Sequence, residues 1–334
     1  MSKIKPAKGS PYARILGVGG YRPVRVVPNE VILETIDSSD EWIRSRSGIA
    51  TRHWASPEET VAAMSVEASG KALAAAGIAP EKIGAVIVST VSHFKQTPAV
   101  ATEIAHRVGA GKPAAFDISA GCAGFGYGLT LAKGLVVDGS AEYVLVIGVE
   151  RLSDLTDLED RATAFLFGDG AGAVVVGPSD EPAIGPTVWG SEGDKSETIK
   201  QTVPWDEYRS TDSAEKFPAI TQEGQAVFRW AVFEMAKVAQ QALDAAGITA
   251  DDLDVFIPHQ ANMRIIDSMV KTLKLPEHVT VARDVETTGN TSAASIPLAM
   301  ERLLATGAAK SGDTALVIGF GAGLVYAATV VTLP

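Results

Sequence analysis

Apolar residues along the chain fall into short continuous runs and longer stretches with helical spacing. Continuous runs over residues 83–90, 114–118 and 143–148 have the length of strands that are covered on both faces. Stretches over residues 59–77 and 99–108 combine alanine with medium-sized apolar residues and predict helices between those strands. This alternation predicts an α/β protein with a largely parallel sheet.

The remaining segments extend the pattern. Residues 13–20 predict a first strand that runs into a glycine turn, and residues 165–176 predict a glycine turn that runs into a strand. Residues 223–246 predict one long helix that is capped by Gly247. Residues 181–222 are rich in Gly, Pro, Ser, Thr and charged residues, and they predict a long connection or lid between two halves.

The second half of the chain repeats the first. Residues 72–88 match residues 242–258 at an offset of 170 residues, and residues 144–148 match residues 315–319 at an offset of 171. Two separate matches at nearly the same offset indicate an internal duplication. In such a duplicated α/β fold the corresponding strand ends meet at a shared crevice. The two halves are assigned to residues 1–180 and 181–334, the second opening with the connection over residues 181–222.

Composition and charge exclude several classes of protein. The chain has 334 residues, of which 46% are apolar and 21% charged, and its net charge of −11 disfavours nucleic acid as a partner. It lacks an apolar run of membrane-spanning length, and its first residues lack the apolar stretch of a signal peptide, so we expect a cytoplasmic protein with no membrane partner. The glycines of residues 13–20 do not form a dinucleotide fingerprint, because Arg22 occupies the third glycine position.

The metal-ligating residue types are too sparse for a metal site. The single cysteine excludes a disulfide framework and a multi-cysteine site, and the five histidines never lie three or four residues apart. We therefore expect no metal and no cofactor.

Cys122 is the best candidate for a nucleophile. Gly121 gives a tight bend after the run 114–118, and Phe125 and Leu129 then repeat at helical spacing, so the thiol lies at or next to a helix N-terminus. Unpaired N–H groups and the helix dipole there favour thiolate over thiol. Four glycines within nine residues argue against an ordinary buried cysteine.

The duplication supplies partners for this thiol. Carrying the offset from Cys122 leads to Ser292 or Ala293, directly after Asn290, and the predicted strand over residues 255–258 ends at His259. Each of these positions follows a strand and precedes a helix. We therefore expect Cys122, His259 and Asn290 to meet where the halves face each other.

Five stretches around these positions resemble a β-ketoacyl-acyl carrier protein synthase III, a condensing enzyme of the thiolase fold. The stretches, which run through nearly the whole chain, are residues 119–129, 167–172, 259–262, 289–292 and 319–324. The resemblance implies a thiolase-like five-layered αβαβα fold built from two duplicated βαβαβ-type halves. It also implies an acyltransferase that starts fatty acid biosynthesis by decarboxylative Claisen condensation of an acyl-CoA primer, acetyl or branched short-chain, with malonyl-acyl carrier protein.

The resemblance also implies roles for the site residues. Cys122 would take the acyl group as a thioester, with its oxygen held in an oxyanion hole by the backbone N–H groups of Cys122 and Ala322. Ala322 stands where glycine is common, which leaves the amide available but restricts φ. His259 and Asn290 would donate side-chain N–H groups to the enolate that forms when malonyl loses carbon dioxide.

Binding residues follow from the resemblance in the same way. Those implied for CoA are Ser38, Trp42, Arg46, Arg161, Phe228, Arg229, Asn262 and Arg264, and those implied for the carrier protein are Gln260, Ala261, Asn262, Met263 and Arg264. Arg229, Arg264, Lys271 and Lys274 could form the basic patch that an acidic carrier protein requires on this acidic enzyme. A homodimer is expected from the family.

Thr97 departs from the family pattern. Many members have Phe at this position, which lines the acyl pocket and is often reached from the other subunit. A smaller residue leaves more room, so we expect tolerance of branched or longer primers beyond acetyl-CoA.

Other enzymes and one non-enzyme share parts of this pattern. A thiolase usually needs a second active-site cysteine, which this chain lacks. A hydroxymethylglutaryl-CoA synthase needs a glutamate that acts as a base near the nucleophile. A type III polyketide synthase is usually longer than this chain and does not need a carrier protein. A synthase III homologue that primes polyketide biosynthesis has the same motifs and stays open. A non-catalytic acyl- or carrier-protein-binding homologue would lack one of Cys122, His259 and Asn290, and all three are present.

Overall fold

The computed structural model describes residues 4, 5, 7–210 and 217–334. The strands are β1 (Tyr12–Tyr21), β2 (Arg25–Pro28), β3 (Thr51–Trp54), β4 (Ile83–Ser89), β5 (Ala114–Ile118), β6 (Tyr143–Arg151), β7 (Asp169–Ser179), β8 (Val188–Ser191), β9 (Ile199–Gln201), β10 (Ile220–Gln222), β11 (Val255–Pro258), β12 (Thr280–Val281), β13 (Thr314–Gly321) and β14 (Val325–Thr332). The helices are α1 (Asn29–Ile32), α2 (Asp40–Ser47), α3 (Val61–Ala76), α4 (Val100–Arg107), α5 (Gly124–Asp138), α6 (Trp205–Ser210), α7 (Gly224–Phe233), α8 (Met235–Ala246), α9 (Met263–Leu273), α10 (Val285–Thr288) and α11 (Ser295–Thr306).

Two five-stranded sheets have the same arrangement of strands. Their orders are β1-β7-β6-β4-β5 and β12-β11-β13-β14-β8. In the first sheet β6, β4 and β5 run parallel, whereas β7 and β1 are joined antiparallel. Because β1 is antiparallel to β7, it runs in the same direction as β6, β4 and β5, and β8 likewise runs with β13, β11 and β12 in the second sheet. Four of the five strands in each sheet therefore point one way, as the prediction of a largely parallel sheet requires, and β7 and β14 run against them. The chain between β6 and β7 forms a short 3-10 turn and a loop instead of a crossover helix, so β7 returns in the opposite direction.

The sheets and helices stack in five layers. Ile87 of β4 packs with Phe125 of α5, Ile296 of α11 and Val317 of β13 in a core between the two sheets. The neighbouring Val88 faces the other way and packs with α3 and α4, because successive strand residues point to opposite faces. Helices α8 and α9 cover the outer face of the second sheet in a further core cluster. The predicted five-layered αβαβα fold is confirmed.

Short 3-10 turns mark the equivalent junctions of the two halves. The turn Gly121–Ala123 leads into α5, and the turn Ser292–Ala294 leads into α11. The first residues of the turns, Gly121 and Ser292, have nearly the same φ, 47° and 46°. Cys122 is therefore the structural counterpart of Ala293, one of the two positions that the repeat offset allowed.

Two segments differ from the sequence predictions. The single helix expected over residues 223–246 is divided at Glu234 into α7 and α8, with Gly247 as the predicted cap. Residues 181–222 contain short elements, among them β8, which pairs with β14 at the edge of the second sheet, and the pair β9 and β10. A long polar sequence can thus carry edge strands that have no clear apolar period. The proposed division at residues 180 and 181 falls between β7 and β8.

Capping side chains place the helices that border the site. The hydroxyl of Ser39 accepts a hydrogen bond from the Trp42 N–H at 3.1 Å and begins α2, which ends at Gly48 with φ 77°. Asn262 begins α9 by accepting from the Arg264 N–H at 2.9 Å, and its amide group also donates to the Arg46 carbonyl at 3.0 Å. These caps join α2 to α9 and hold Trp42, Arg46 and Arg264 near one another.

Candidate active site

Cys122 lies in the tight turn between β5 and α5, as predicted. The end of β13 comes so close that a Cβ added to Gly321 would lie 2.8 Å from the Cys122 Sγ. Only glycine lets the backbone of the second half approach the thiol this closely. The close contact brings the backbone amide of Ala322 to the sulfur.

Burial raises the pKa of the Cys122 thiol to about 11, and the charge of Glu150 acts in the same direction. Hydrogen bonds from the Ser292 hydroxyl and from the backbone N–H groups of Cys122 and Ala322 lower the pKa but do not offset the burial. The expectation that the helix N-terminus makes this a resting thiolate was therefore wrong, because desolvation of the sulfur outweighs the favourable dipole. The thiol must lose its proton when it reacts.

Two backbone amides converge on the sulfur. The N–H groups of Cys122 and Ala322 both favour the thiolate form of the sulfur and so act to lower its pKa. Apart from glycines, only Lys274 and Ser292 of the described residues have a positive φ, so alanine at position 322 carries no backbone strain. The strained conformation belongs to the next residue, Gly323, with φ 143°.

His259 follows β11 and is almost completely buried, with 2% of its surface exposed. Burial lowers the pKa of its imidazole to about 3, so the ring is neutral at physiological pH. Its Nδ1 lies 2.7 Å from the Ser295 Oγ, which also accepts a hydrogen bond from the Gln260 N–H at 3.4 Å. The Ser295 proton is then directed at Nδ1, and we assign the imidazole proton to Nε2.

Asn290 is held in the turn after α10 by the first half of the chain. Its backbone N–H donates to the Leu166 carbonyl at 2.8 Å, and its carbonyl accepts from the Gly168 N–H at 3.0 Å. The side-chain Oδ1 accepts from the Ser292 N–H at 2.9 Å. Because the amide oxygen is occupied in this way, the Nδ2 group is left as a donor.

The structure brings the three predicted residues to one cavity. Cys122, His259 and Asn290 all line a space of about 170 Å³. Apolar side chains complete its wall, among them Leu155, Trp230 and Phe320. Its roof is formed by the connection between the halves, through Ile199, Ile220 and Gln222. The sequence analysis did not identify these lining residues. The roof residues lie in the segment 181–222, which the sequence predicts as a connection or lid, but its lack of a clear apolar period means that the sequence does not single out the individual residues.

A groove leads from the surface to this cavity. It shares Asn290, Val227, Ala261, Ile265 and Gln222 with the cavity lining. Six of the eight residues predicted to bind CoA line it: Trp42, Arg46, Phe228, Arg229, Asn262 and Arg264. The other two residues lie beside α2. The guanidinium carbon of Arg161 is 4.9 Å from the centroid of the Trp42 ring, and Ser38 directly precedes Ser39, the residue that caps α2.

The residues predicted for the carrier protein divide into a buried and an accessible group. Gln260 is 1% exposed, and its amide nitrogen donates to the carbonyls of Pro258 and Ala282 at 2.7 and 3.2 Å. It supports the loop from inside, so direct contact of its side chain with a carrier protein is contradicted. Ala261, Asn262, Met263 and Arg264 are partly or fully accessible, as are the basic residues Arg229, Lys271 and Lys274.

Thr97 is exposed and does not line the catalytic cavity of its own chain. Its loop also carries Phe94, which packs edge-on against Trp205 and Phe217 with centroid distances of 5.5 and 5.4 Å. All three aromatic rings are more than a third exposed. This aromatic cluster lies beside the roof of the site.

The described part of the chain offers neither a membrane-spanning helix nor a metal site. None of its helices is both long and apolar enough to cross a membrane. No group of three or more His, Cys, Asp or Glu side chains within it is arranged to hold a metal ion.

Known proteins share this fold and sequence. The family models for 3-oxoacyl-[acyl-carrier-protein] synthase III and for its C-terminal part match residues 116–193 and 243–333. The β-ketoacyl-[acyl-carrier-protein] synthase III 1 of Streptomyces coelicolor is 87% identical over 343 residues, and the corresponding synthase III of Streptomyces glaucescens is 87% identical over 334, with every chain fully covered. The crystal structure of the priming β-ketosynthase from the R1128 polyketide biosynthetic pathway superimposes with a TM-score of 0.97 and is 48% identical in sequence. The match covers 100% of this chain and 99% of that one.

The fold and these similarities define the protein as a condensing acyltransferase of the thiolase fold. Within that class, the chain belongs to the β-ketoacyl-[acyl-carrier-protein] synthase III family.

Proposed function

We propose that the protein condenses a short acyl-CoA primer with malonyl-acyl carrier protein by decarboxylation and so starts fatty acid synthesis. One observation carries this proposal. A lone cysteine faces two side-chain N–H donors, His259 and Asn290, across a cavity that is reached by a groove with arginine side chains. Neither donor is a carboxylate base, so the site is suited to stabilising an enolate and not to activating a water.

The first half-reaction transfers the acyl group to Cys122. The primer enters through the groove, where Trp42 and Arg161 take the adenine and the arginines take the phosphates. Cys122 attacks the thioester carbonyl, and the negative charge on its oxygen is stabilised by the N–H groups of Cys122 and Ala322. CoA leaves as the thiol.

The second half-reaction decarboxylates the malonyl thioester. The carbon–carbon bond to the carboxylate breaks, carbon dioxide leaves, and the electron pair passes to the thioester oxygen as an enolate. The Nε2–H of His259 and the Nδ2–H of Asn290 donate to this oxygen. The enolate carbon then attacks the acyl-enzyme and releases the β-ketoacyl product from Cys122.

The cavity has room for a primer larger than acetyl. A cavity of about 150 Å³ is enough to bind benzene, and the space beside Cys122 is about 170 Å³. We therefore include branched short-chain primers in the proposal, in agreement with Thr97 in place of Phe. The test is the intact protein mass after brief incubation with isobutyryl-CoA or acetyl-CoA.

We expect a mass increase of one acyl group with both primers and no increase in Cys122→Ala. Comparable loading rates for isobutyryl and acetyl support the wider primer range, and strict acetyl preference contradicts it. Absence of any adduct in the wild-type protein would overturn the assignment of Cys122 as nucleophile.

Arg161→Ala is expected to raise the KM for acyl-CoA about 5- to 10-fold, because a partly exposed cation–π partner contributes about 1 kcal/mol. The kcat should stay unchanged, since Arg161 is remote from the reacting thioester. Steady-state kinetics with varied acyl-CoA measure both constants.

Arg25→Ala is the matched control for this variant. Arg25 also lies over an indole, 5.4 Å from the Trp54 ring centroid, but outside the groove. Its KM should equal that of the wild type. Equal KM values for both variants would show that Arg161 has no part in CoA binding.

A second candidate is the priming of a polyketide in place of a fatty acid. It is favoured by the 48% identity and TM-score of 0.97 to a priming β-ketosynthase of a polyketide pathway. The proposed chemistry is the same in both cases. Condensation rates with malonyl carried on a fatty acid carrier protein or on a polyketide carrier protein distinguish them.

We further propose that the protein works as a homodimer in the cytoplasm. The exposed aromatic cluster of Phe94, Trp205 and Phe217 next to the Thr97 loop supports a subunit contact there. A buried nucleophilic thiol that must stay reduced supports a reducing compartment.

A further inference from the structure

The imidazole of His259 has two ring nitrogens, and a neutral ring carries a proton on only one of them. The ring lines the catalytic cavity, and burial keeps it neutral. Its Nδ1 lies 2.7 Å from the Ser295 Oγ, which is the only hydrogen-bond partner of the ring in the described part of the chain. The hydrogen bond at Nδ1 therefore decides whether Nε2 is a donor or an acceptor.

The Ser295 hydroxyl has one direction in which it can donate. Ser295 is the first residue of α11 and is 0% exposed. Its oxygen accepts a hydrogen bond from the Gln260 N–H at 3.4 Å, and Nδ1 of His259 is its other partner among the residues that the structure describes. A buried hydroxyl proton needs an acceptor, and of these two partners only Nδ1 can be one.

The surrounding structure fixes the position of the ring. The His259 backbone N–H donates to the Ile318 carbonyl at 2.7 Å, which ties the residue to β13. The Phe320 ring packs edge-on against the imidazole, with a centroid distance of 5.4 Å and an angle of 81° between the planes. The ring is therefore held so that Nδ1 stays against Ser295.

The internal repeat supplies a comparison for this contact. The offset of 170 residues relates His259 to Ser89 at the end of β4. The equivalent turns relate Ser295 to Gly124, the first residue of α5. A Cβ added to Gly124 would collide with the Ser89 Oγ. In both halves, therefore, the residue after the strand meets the first residue of the helix.

The two halves differ in what the helix contributes to this contact. In the first half the helix begins with Gly124, so the fold itself needs no side chain at this position. The second half has Ser295, although the strand-end residue there is the larger histidine. Burying a hydroxyl costs free energy unless it is hydrogen-bonded, and here the imidazole is its acceptor. The serine thus occurs in the half that carries the imidazole.

We propose that Ser295 is a positioning residue that keeps the imidazole proton of His259 on Nε2, where the enolate forms. The inference rests on the proposed function of His259 as a donor to that enolate. In the other tautomer Nε2 would present a lone pair to the enolate oxygen and would repel it. Ser295 acts through the ring alone, and no proton passes between the two side chains.

The first test is the nitrogen NMR spectrum of the imidazole in protein labelled at histidine, without substrate. The chemical shift separates protonated from unprotonated ring nitrogens, and His259→Ala identifies the signals of this residue. We expect a protonated Nε2 and an unprotonated Nδ1 in the wild type. In Ser295→Ala the two shifts should move toward each other, because both tautomers become populated. A wild-type proton on Nδ1, or unchanged shifts in the variant, would overturn the proposal.

The second test separates the two half-reactions. Ser295→Ala should condense about tenfold more slowly than the wild type, whereas acyl loading of Cys122 should stay within a few-fold. Ser65→Ala is the matched control, because Ser65 is equally buried and donates over the same distance, 2.7 Å, to the Val61 carbonyl, but does not line the cavity. Both steps should be normal in this control. Equal losses of loading and condensation in Ser295→Ala would contradict a role that acts through His259.

A double variant distinguishes positioning of the ring from support of the fold. His259→Ala combined with Ser295→Ala should condense at the rate of His259→Ala alone, since no ring remains to be positioned. A further tenfold loss would show that Ser295 acts on the structure and not on the imidazole. If the wild type forms no β-ketoacyl product, the proposed function fails. If it does and Ser295→Ala condenses normally, only this inference fails.

Discussion

Replacement of His259 with alanine is expected to lower the condensation rate about 10²- to 10³-fold, the effect of removing one preorganised oxyanion donor. Acyl loading of Cys122 should stay within a few-fold of the wild type. The reason is that the neutral imidazole, with a pKa of about 3, serves as an N–H donor to the enolate and is not needed to remove the thiol proton. Loading is measured by intact mass, and condensation by the β-ketoacyl product.

His278→Ala controls for loss of an imidazole elsewhere. His278 is an exposed histidine whose Nε2 lies 3.0 Å from the Leu253 carbonyl, and it does not line the cavity. Both steps should proceed normally in this variant. If His259→Ala instead lost loading and condensation to the same degree, His259 would be the base for Cys122. The assignment of His259 to the condensation step alone would then be wrong.

Replacement of Asp284 with alanine is expected to lower the free energy of unfolding by about 2 to 3 kcal/mol. The carboxylate is 3% exposed and pairs with two guanidinium groups, Arg22 at 3.1 Å and Arg302 at 2.7 Å. Removing a buried partner leaves charges uncompensated, which costs about 3 to 5 kcal/mol for fully buried pairs, and the partial exposure of both arginines reduces this value. Arg22 also pairs with Glu301, so the loss is incomplete.

The loss is measured as the free energy of unfolding in urea at fixed protein concentration, because the proposed dimer makes the result depend on concentration. Glu103→Ala removes an exposed i,i+4 pair with Arg107 and should change stability by less than about 0.5 kcal/mol. An Asp284→Ala protein as stable as this control would show that the buried cluster contributes nothing net.

The position of Cys122 in the fold could be predicted because its signal is local. The strand 114–118, the bend at Gly121 and the helical spacing after it are properties of adjacent residues, and the structure reproduces each of them. The repeat offset then led to the equivalent turn in the second half, within one residue. Local propensity and an internal repeat were sufficient for these features.

The chemical state of the same residue could not be predicted in this way. Helix position argued for a thiolate at Cys122, but the pKa is raised to about 11 because the sulfur is desolvated by residues far apart in the sequence. Glu150 and Ser295 were not identified as parts of the site for the same reason. Ser292 was one of the two positions that the repeat offset gave for Cys122, and the structure aligns it with Gly121 instead, since the two residues have nearly the same positive φ.

The sequence by itself determined the α/β class, the duplication and the meeting of Cys122, His259 and Asn290 at one cavity, because these depend on local pattern and on chain repeats. The tertiary structure alone decided the reversed direction of β7 and β14, the particular residues that cover the cavity, the burial of Gln260 and the protonation states of Cys122 and His259. These depend on which distant residues exclude water and which donors approach each side chain. Desolvation and hydrogen bonding across the two halves have no counterpart in the linear order of residues.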